Sequence, residues 1–292
     1  MYSSYAARVR PIDCLHLGRE RVICCWQLDD VLVDPGPSSC LETLLAALDG
    51  RRPRALLLTH IHLDHAGASG SLARIFPDLE VFVHERGARH MADPQRLLDS
   101  AKRLYGDDMD RLWGPFEAVP ERQLRPLAGG EVLELGGRRF EVAYTPGHAS
   151  HHVSYLHDGT AFVGDVGGVR IAPQTPPFPP TPPPDIDLDL WHRSLEVVAA
   201  WAPERLAMTH FGASEDVEWQ LAEVGARLDR IAELARQLDS ERWIEAVRAE
   251  LRDGSSPEVF EAYLQAAPTD QAYAGLRRYW DKRRAAGEAD AA

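Results

Sequence analysis

Apolar and polar positions along the chain fall into two regimes, strand-like first and helical later. Through the first 59 residues, short runs such as CLHLG, RVICCWQL and DDVLVDPGP alternate with turn residues. They are rich in β-branched and aromatic side chains and predict strands. SSCLETLLAALDG then changes to helical spacing, opening on serine and closing on glycine. ALLLT is continuously apolar, the mark of a strand buried on both faces of a layered structure. Further strands are predicted at EVFVH, EVLEL, RFEVAY, HVSYLH and TAFVGD. Across 93–116, Leu97, Leu98, Ala101, Leu104 and Tyr105 share one face of a mainly helical insert. This alternation predicts an α/β sandwich.

From Ala213 onward the pattern is all-helical. Val217, Leu221, Val224, Leu228, Ile231, Leu234 and Leu238 keep three-and-four spacing, which predicts an amphipathic helix packed on one side. Shorter helices around 243–251, 259–264 and 273–280 complete a helical appendage. Its leucine and aromatic stripes read as core, or as the surface of a homodimer. The predicted division is a catalytic-type domain over 1–212 and a helical region over 213–292. Within 173–184, eight of twelve residues are proline, so this stretch is an extended, stiff loop. It reads as a rigid wall beside a pocket in preference to a spacer. No internal repeat is evident.

Composition narrows the function classes. With 45% hydrophobic and 26% charged residues in 292, a sizeable core can be buried. No apolar run approaches the ~20 residues of a membrane span. MYSSYAARVRPIDCLHLG lacks the apolar core and cleavage site of a signal peptide. A cytoplasmic protein with no membrane partner is expected. The net charge of -13 repels phosphate backbones, and the arginines form no basic stripe, so no nucleic-acid partner is expected. Cys14, Cys24, Cys25 and Cys40 contain no CxxC pair and read as structural thiols.

The densest chemistry lies in THIHLDH, residues 59–65. His60 and His62 alternate just after ALLLT, so period-two geometry puts both imidazoles on one side at the carboxyl end of that strand. Asp64 and His65 follow where the chain turns. Imidazoles with carboxylates suit zinc, iron or manganese better than magnesium or calcium.

This HxHxDH run after a strand resembles the hallmark of the metallo-β-lactamase superfamily. Downstream, His148 in TPGHASHH, Asp165 in FVGD and His210 in LAMTHFG occupy the further ligand stations, each at a strand end. VLVDPGP resembles the family's early strand and turn, and the likeness runs over roughly residues 10–212. The resemblance implies a four-layer αβ/βα sandwich with the C-terminal helices appended. It also implies two divalent metal ions, zinc foremost, with iron or manganese as alternatives. His60, His62 and His148 would form the first site, Asp64, His65 and His210 the second, and Asp165 would bridge them. Asp64, His65 and Asp165 carry the catalytic roles in this reading.

The implied activity is hydrolysis of a small-molecule ester, thioester or lactone by a hydroxide shared between the ions, as in the glyoxalase II-like and lactonase-like branches. The alternatives are a mononuclear-iron dioxygenase acting on persulfides, a small-molecule phosphodiesterase, and a binding protein with an idle site. The last is disfavoured because all the ligand positions are filled. The family's GHTxGH is here GHASHH, so Ala149 and His151 depart from it. His152 reads as a supporting or packing residue and His84 and His90 as surface or packing residues, while the strand-borne Tyr155 is equally compatible with a place in the core. The tail, with 17 acids against 11 bases from Ala213 to Ala292, lacks a basic pattern suited to glutathione.

Overall fold

A computed structural model describes residues 9–287. The absence of a leader expected from the N-terminal sequence therefore falls, for residues 1–8, outside the described residues. The chain divides into two compact units, Met1–Val142 and Ala143–Ala292.

The first unit opens with β1 (Val9–Asp13), β2 (Cys24–Leu28) and β3 (Val31–Val33), which pair antiparallel in sequence. α1 (Leu41–Leu48) follows and ends at Asp49 and Gly50, both with positive φ. It is the crossover that lets β4 (Ala55–Leu57) lie parallel to β3. α2 (Leu63–Ala66) and α3 (Ser69–Ile75) make the next crossover, to β5 (Glu80–His84). β4 is buried along its whole length, as its unbroken apolar run requires.

After α4 (Glu85–Ala92) comes the helical insert, α5 (Gln95–Tyr105) and α6 (Met109–Trp113). Leu97, Ala101 and Tyr105, four residues apart, face inward with Leu63 and Trp113, whereas Leu104 is exposed. The last strand of this sheet, β6 (Leu124–Leu127), was not predictable from LRPL because it carries Pro126. Its place at the edge of the order β1-β2-β3-β4-β5-β6 explains the tolerance, since an edge strand can lose a donor.

The segment CLHLG corrects the sequence expectation. It forms a turn in place of a strand, with Leu15 and Leu17 in left-handed conformation. The Asp13 carboxylate accepts the backbone N–H groups of Leu15 and Arg21, which folds the chain back. His16 is thereby buried, stacked 5.3 Å from the Trp113 ring, with Nε2 2.8 Å from the Leu112 carbonyl oxygen.

β7 (Val132–Leu135) and β8 (Arg138–Tyr144) form a hairpin across Gly136 and Gly137, both at positive φ, as a two-residue turn demands. β9 (Val153–His157) and β10 (Thr160–Phe162) repeat the device with Asp158 and Gly159. α7 (Leu188–Ala200), absent from the sequence expectations, is the crossover to β11 (Arg205–Met208), which runs parallel to β10. β12 (Gly212–Ser214) closes a second mixed sheet in the order β12-β11-β10-β9-β8-β7.

The helical region is α8 (Val217–Gln237), α9 (Ser240–Arg252), α10 (Pro257–Ala266) and α11 (Thr269–Ala285). Leu221, Val224, Leu228 and Ile231 of α8 are buried, as the spacing predicts. Two indoles fasten its neighbours. Trp243 donates to the Ile231 carbonyl and Trp280 to that of Ala232, each at 2.8 Å. Among the described residues no helix is long and apolar enough to cross a membrane.

All four cysteines are free thiols and buried. Burial pushes Cys40 up to about 11, and burial also drives Cys14 and Cys25 well above the ordinary thiol range. Iodoacetamide at neutral pH is expected to leave the folded chain unmodified for as long as it takes to alkylate every thiol in denaturant. Intact-mass measurement checks this, and prompt labelling of the folded chain would contradict the packing.

Candidate metal centre

In the first unit, four of the sequence-predicted ligands follow β4. His60 and His65 are fully buried, while His62 and Asp64 are partly exposed. What aims them is a residue that the ligand pattern did not single out, Asp34. It follows β3, whose parallel neighbour is β4, so the two strand ends lie side by side and Asp34 donates its N–H to the Leu57 carbonyl at 3.0 Å. The Asp34 side chain is buried and accepts three hydrogen bonds. They come from the Thr59 backbone N–H at 2.8 Å, the Thr59 hydroxyl at 2.6 Å and His65 Nδ1 at 2.8 Å.

These bonds determine the tautomers. A carboxylate only accepts, so His65 carries its proton on Nδ1 and presents the Nε2 lone pair. The Thr59 hydroxyl spends its one proton on Asp34. At 3.1 Å, His60 Nδ1 must therefore donate to Thr59 Oγ1, which leaves the His60 Nε2 lone pair directed away. That Nε2 lies 3.0 Å from His62 Nδ1, and the His60 and His65 rings are 3.9 Å apart. One buried carboxylate thus sets two imidazoles in the form that binds a cation.

The second unit places the other three predicted ligands together. Asp165 follows β10 and His210 follows β11, again neighbouring parallel strands. His148 comes from the loop after β8, where Gly147 (φ 132) lies flush against α7. A Cβ there would sit 2.4 Å from the Trp191 backbone. His148 Nδ1 is 2.9 Å from the Pro180 carbonyl oxygen, so Nδ1 is the donor and Nε2 carries the lone pair. Asp165 turns one oxygen toward each histidine, Oδ2 at 3.3 Å from His148 Nε2 and Oδ1 at 3.6 Å from His210 Nε2. An imidazole lone pair facing a carboxylate oxygen is repulsive without a positive charge between them. The donor set therefore fits a bound cation, and its mixture of imidazole and carboxylate suits a borderline transition metal.

The remaining histidines lie outside these sets. His152 is buried with Nδ1 2.9 Å from the Thr145 hydroxyl, and its ring is 6.2 Å from that of His148. His84 Nδ1 caps α4 by accepting the Arg86 N–H, and His90 Nε2 accepts from Arg89. Tyr155 is core. Two supporting groups had little signal in the ligand pattern. Asp34 was visible only as the aspartate of VLVDPGP, and the Pro180 carbonyl had none, because every residue carries a carbonyl.

The family model of the metallo-β-lactamase superfamily matches residues 29–210, and the chain belongs to that superfamily. It is 28% identical over 207 residues to the metallo-β-lactamase fold-containing protein ST1585 of Sulfurisphaera tokodaii, covering 69% of this chain and 76% of that one. The crystal structure of ST1585, from Sulfolobus tokodaii, matches with a TM-score of 0.68 at 21% identity, over 92% of this chain and 98% of that one. The α/β fold is thus that of the superfamily, with a helical region following it at the C-terminal side. A hydroxyacylglutathione hydrolase of Xanthomonas campestris pv. campestris (strain B100) is 34% identical over 152 residues, or 50% of this chain and 47% of that one. The chain therefore spans about half the length of that relative. The structure of TTHA1623 in a di-iron-bound form matches with a TM-score of 0.51 at 26% identity, over 69% of this chain and 93% of that one.

Asp34→Ala is expected to weaken metal binding by about 10–100-fold, because the imidazole tautomers lose their anchor. It also strands the Thr59 and His65 donors, at a cost of roughly 1–3 kcal/mol per group. Chelator-competition titration and thermal unfolding measure the two effects separately. Metal affinity equal to the parent chain would refute the orienting role.

Proposed function

We propose that the two ligand sets act as one binuclear centre that hydrolyses an ester-type acyl bond in a small molecule, with a thioester, carboxylic ester or lactone as substrate class. In this reading His60, His62 and His148 would hold one divalent cation, Asp64, His65 and His210 would hold the other, and Asp165 would be shared by both. The observation that carries the reading is Asp165 itself, whose two oxygens address two different histidines whose rings are otherwise apart in sequence. Membership of the superfamily and the likeness to a hydroxyacylglutathione hydrolase support the hydrolytic chemistry. The di-iron form of TTHA1623 supports two ions in preference to one.

When bound, such cations would supply a water acidified toward neutrality and polarisation of the acyl oxygen. The chain's own residues supply everything else. Asp34 and the Pro180 carbonyl keep His65, His60 and His148 in the lone-pair-presenting tautomer, so none of these three imidazoles must shed a proton before it can ligate. Asp64 is the more exposed acid of the set, with its side chain one-fifth accessible, and Oδ2 lies 3.9 Å from His65 Nε2. It is the acid of the set nearest to solvent. Selection of the acyl group falls to loops and helices around the ligands, and the acid excess of the helical region disfavours an anionic thiol carrier such as glutathione.

Metal analysis of the purified chain, followed by a panel of thioesters, esters, lactones and phosphodiesters, tests the proposal. Two equivalents of zinc, iron or manganese with turnover of an acyl substrate is the expected result. A single iron per chain with sulfite release from a persulfide would overturn it. Asp165→Asn is expected to lower turnover by at least about 10²-fold and to reduce occupancy of both ions. Full occupancy with normal turnover in that variant would remove the bridging assignment.

A further inference from the structure

We propose that the proline-rich segment 173–184 and the C-terminal helix α11 together form a positioning device for His148, so that the helical region takes part in preparing the metal centre. The inference rests on His148 being a ligand, as proposed above, and adds that its orientation is set by a helix more than a hundred residues away in sequence.

The link begins at Pro180, whose carbonyl accepts the Nδ1–H of His148 at 2.9 Å. The stretch carrying that carbonyl is held on both sides. Upstream, Phe178 exchanges two backbone hydrogen bonds with Val169, each 2.8 Å. The Tyr263 hydroxyl of α10 donates to the Pro176 carbonyl at 3.0 Å and lies 2.6 Å from Thr175 Oγ1. Downstream, the Thr181 hydroxyl donates to the Ala272 carbonyl of α11 at 3.0 Å. Arg278 and Lys282 of the same helix donate to the Pro184 carbonyl, at 3.4 and 3.1 Å.

The tightest contact is at Gly275, inside α11. A Cβ built there would lie 2.0 Å from the Thr181 carbonyl oxygen, 2.9 Å from the Pro182 carbonyl carbon and 3.0 Å from Pro183 N. Helix backbone and strap backbone therefore touch with no side chain between them. Glycine in a helix interior costs about 1 kcal/mol relative to alanine, so this position has a contact that offsets the loss. Any side chain at 275 must push Thr181 away by an ångström or so, since real Cβ contacts fall short of 3.0 Å almost never.

Proline makes that push travel. Pro179, Pro180, Pro182, Pro183 and Pro184 have φ locked near −65° and no N–H, so the segment has few torsions with which to absorb a displacement. Thr181 is the immediate neighbour of Pro180. A shift of that size stretches the bond to His148 beyond hydrogen-bonding range or turns the ring with it. Trp191 meets the His148 ring edge-on at 5.5 Å and does not fix which nitrogen is protonated. The Pro180 carbonyl does.

The test uses the full chain with Gly275→Ala, Gly275→Val and the milder Thr181→Val, which removes one hydrogen bond and leaves the packing. Two quantities are read. Nitrogen-edited NMR of the metal-free chain observes the His148 Nδ1 proton, assigned by its loss in His148→Gln. Chelator competition measures zinc affinity of the loaded chain. The expected result is a shifted or exchange-broadened Nδ1 proton and zinc binding weakened by about 10–100-fold in Gly275→Ala, with a smaller change in Thr181→Val. A folded Gly275→Ala that keeps the His148 signal and parental zinc affinity, even with a lowered melting temperature, overturns the proposal by reducing the contact to packing. If neither Gly275 variant folds, the same two readings on Thr181→Val decide. The NMR reading needs neither metal nor substrate. A chain that proves inactive on every acyl substrate but whose His148 proton responds to residue 275 refutes the hydrolase reading and leaves this one standing.

Discussion

A carboxylate buried out of reach of water must be met by donors or it destabilises the fold by several kcal/mol, and Asp34 is such a group. Its three donors are the N–H and hydroxyl of Thr59 and the ring of His65. Meeting that demand joins the ends of β3 and β4, bends the chain into α2 and chooses the tautomers of His60 and His65. Ligand geometry and fold stability in the first unit are therefore one requirement. A change that loosens the imidazoles also leaves a buried charge in want of partners.

The second unit solves the same problem with backbone. Here the acceptor that defines His148 is the Pro180 carbonyl, carried by a segment that cannot flex and is clamped by α10 and α11. Asp165 and His210 are delivered by β10 and β11, whose parallel pairing brings their ends level. Gln220 of α8 adds a tie by donating to the Gly167 carbonyl in the turn that carries Asp165. The C-terminal helices, which in sequence look like an appendage, bear on two of the three candidate ligands of their unit.

The division of labour between ligands and surroundings follows from this. In the proposed centre, residues at strand ends supply the cation-binding atoms. Superfamily membership therefore speaks to the fold that carries these strand ends, and fold alone does not choose a substrate.

Much of the fold could be read from local pattern. ALLLT, EVFVH and TAFVGD predicted β4, β5 and β10, and the three-and-four spacing from Val217 predicted α8, because apolar period reports directly on burial. The strand CLHLG failed because the Asp13 side chain captured two backbone donors and made a turn, and β6 was hidden by Pro126, which only an edge position tolerates. THIHLDH, with His148, Asp165 and His210, marked the candidate ligands because imidazole and carboxylate announce their chemistry by residue type. What residue type cannot encode is which nitrogen of an imidazole holds the proton. Only the tertiary structure decided that, since the proton is placed by Asp34 from a neighbouring strand and by a proline carbonyl pressed into position by Gly275, contacts between residues far apart in the chain.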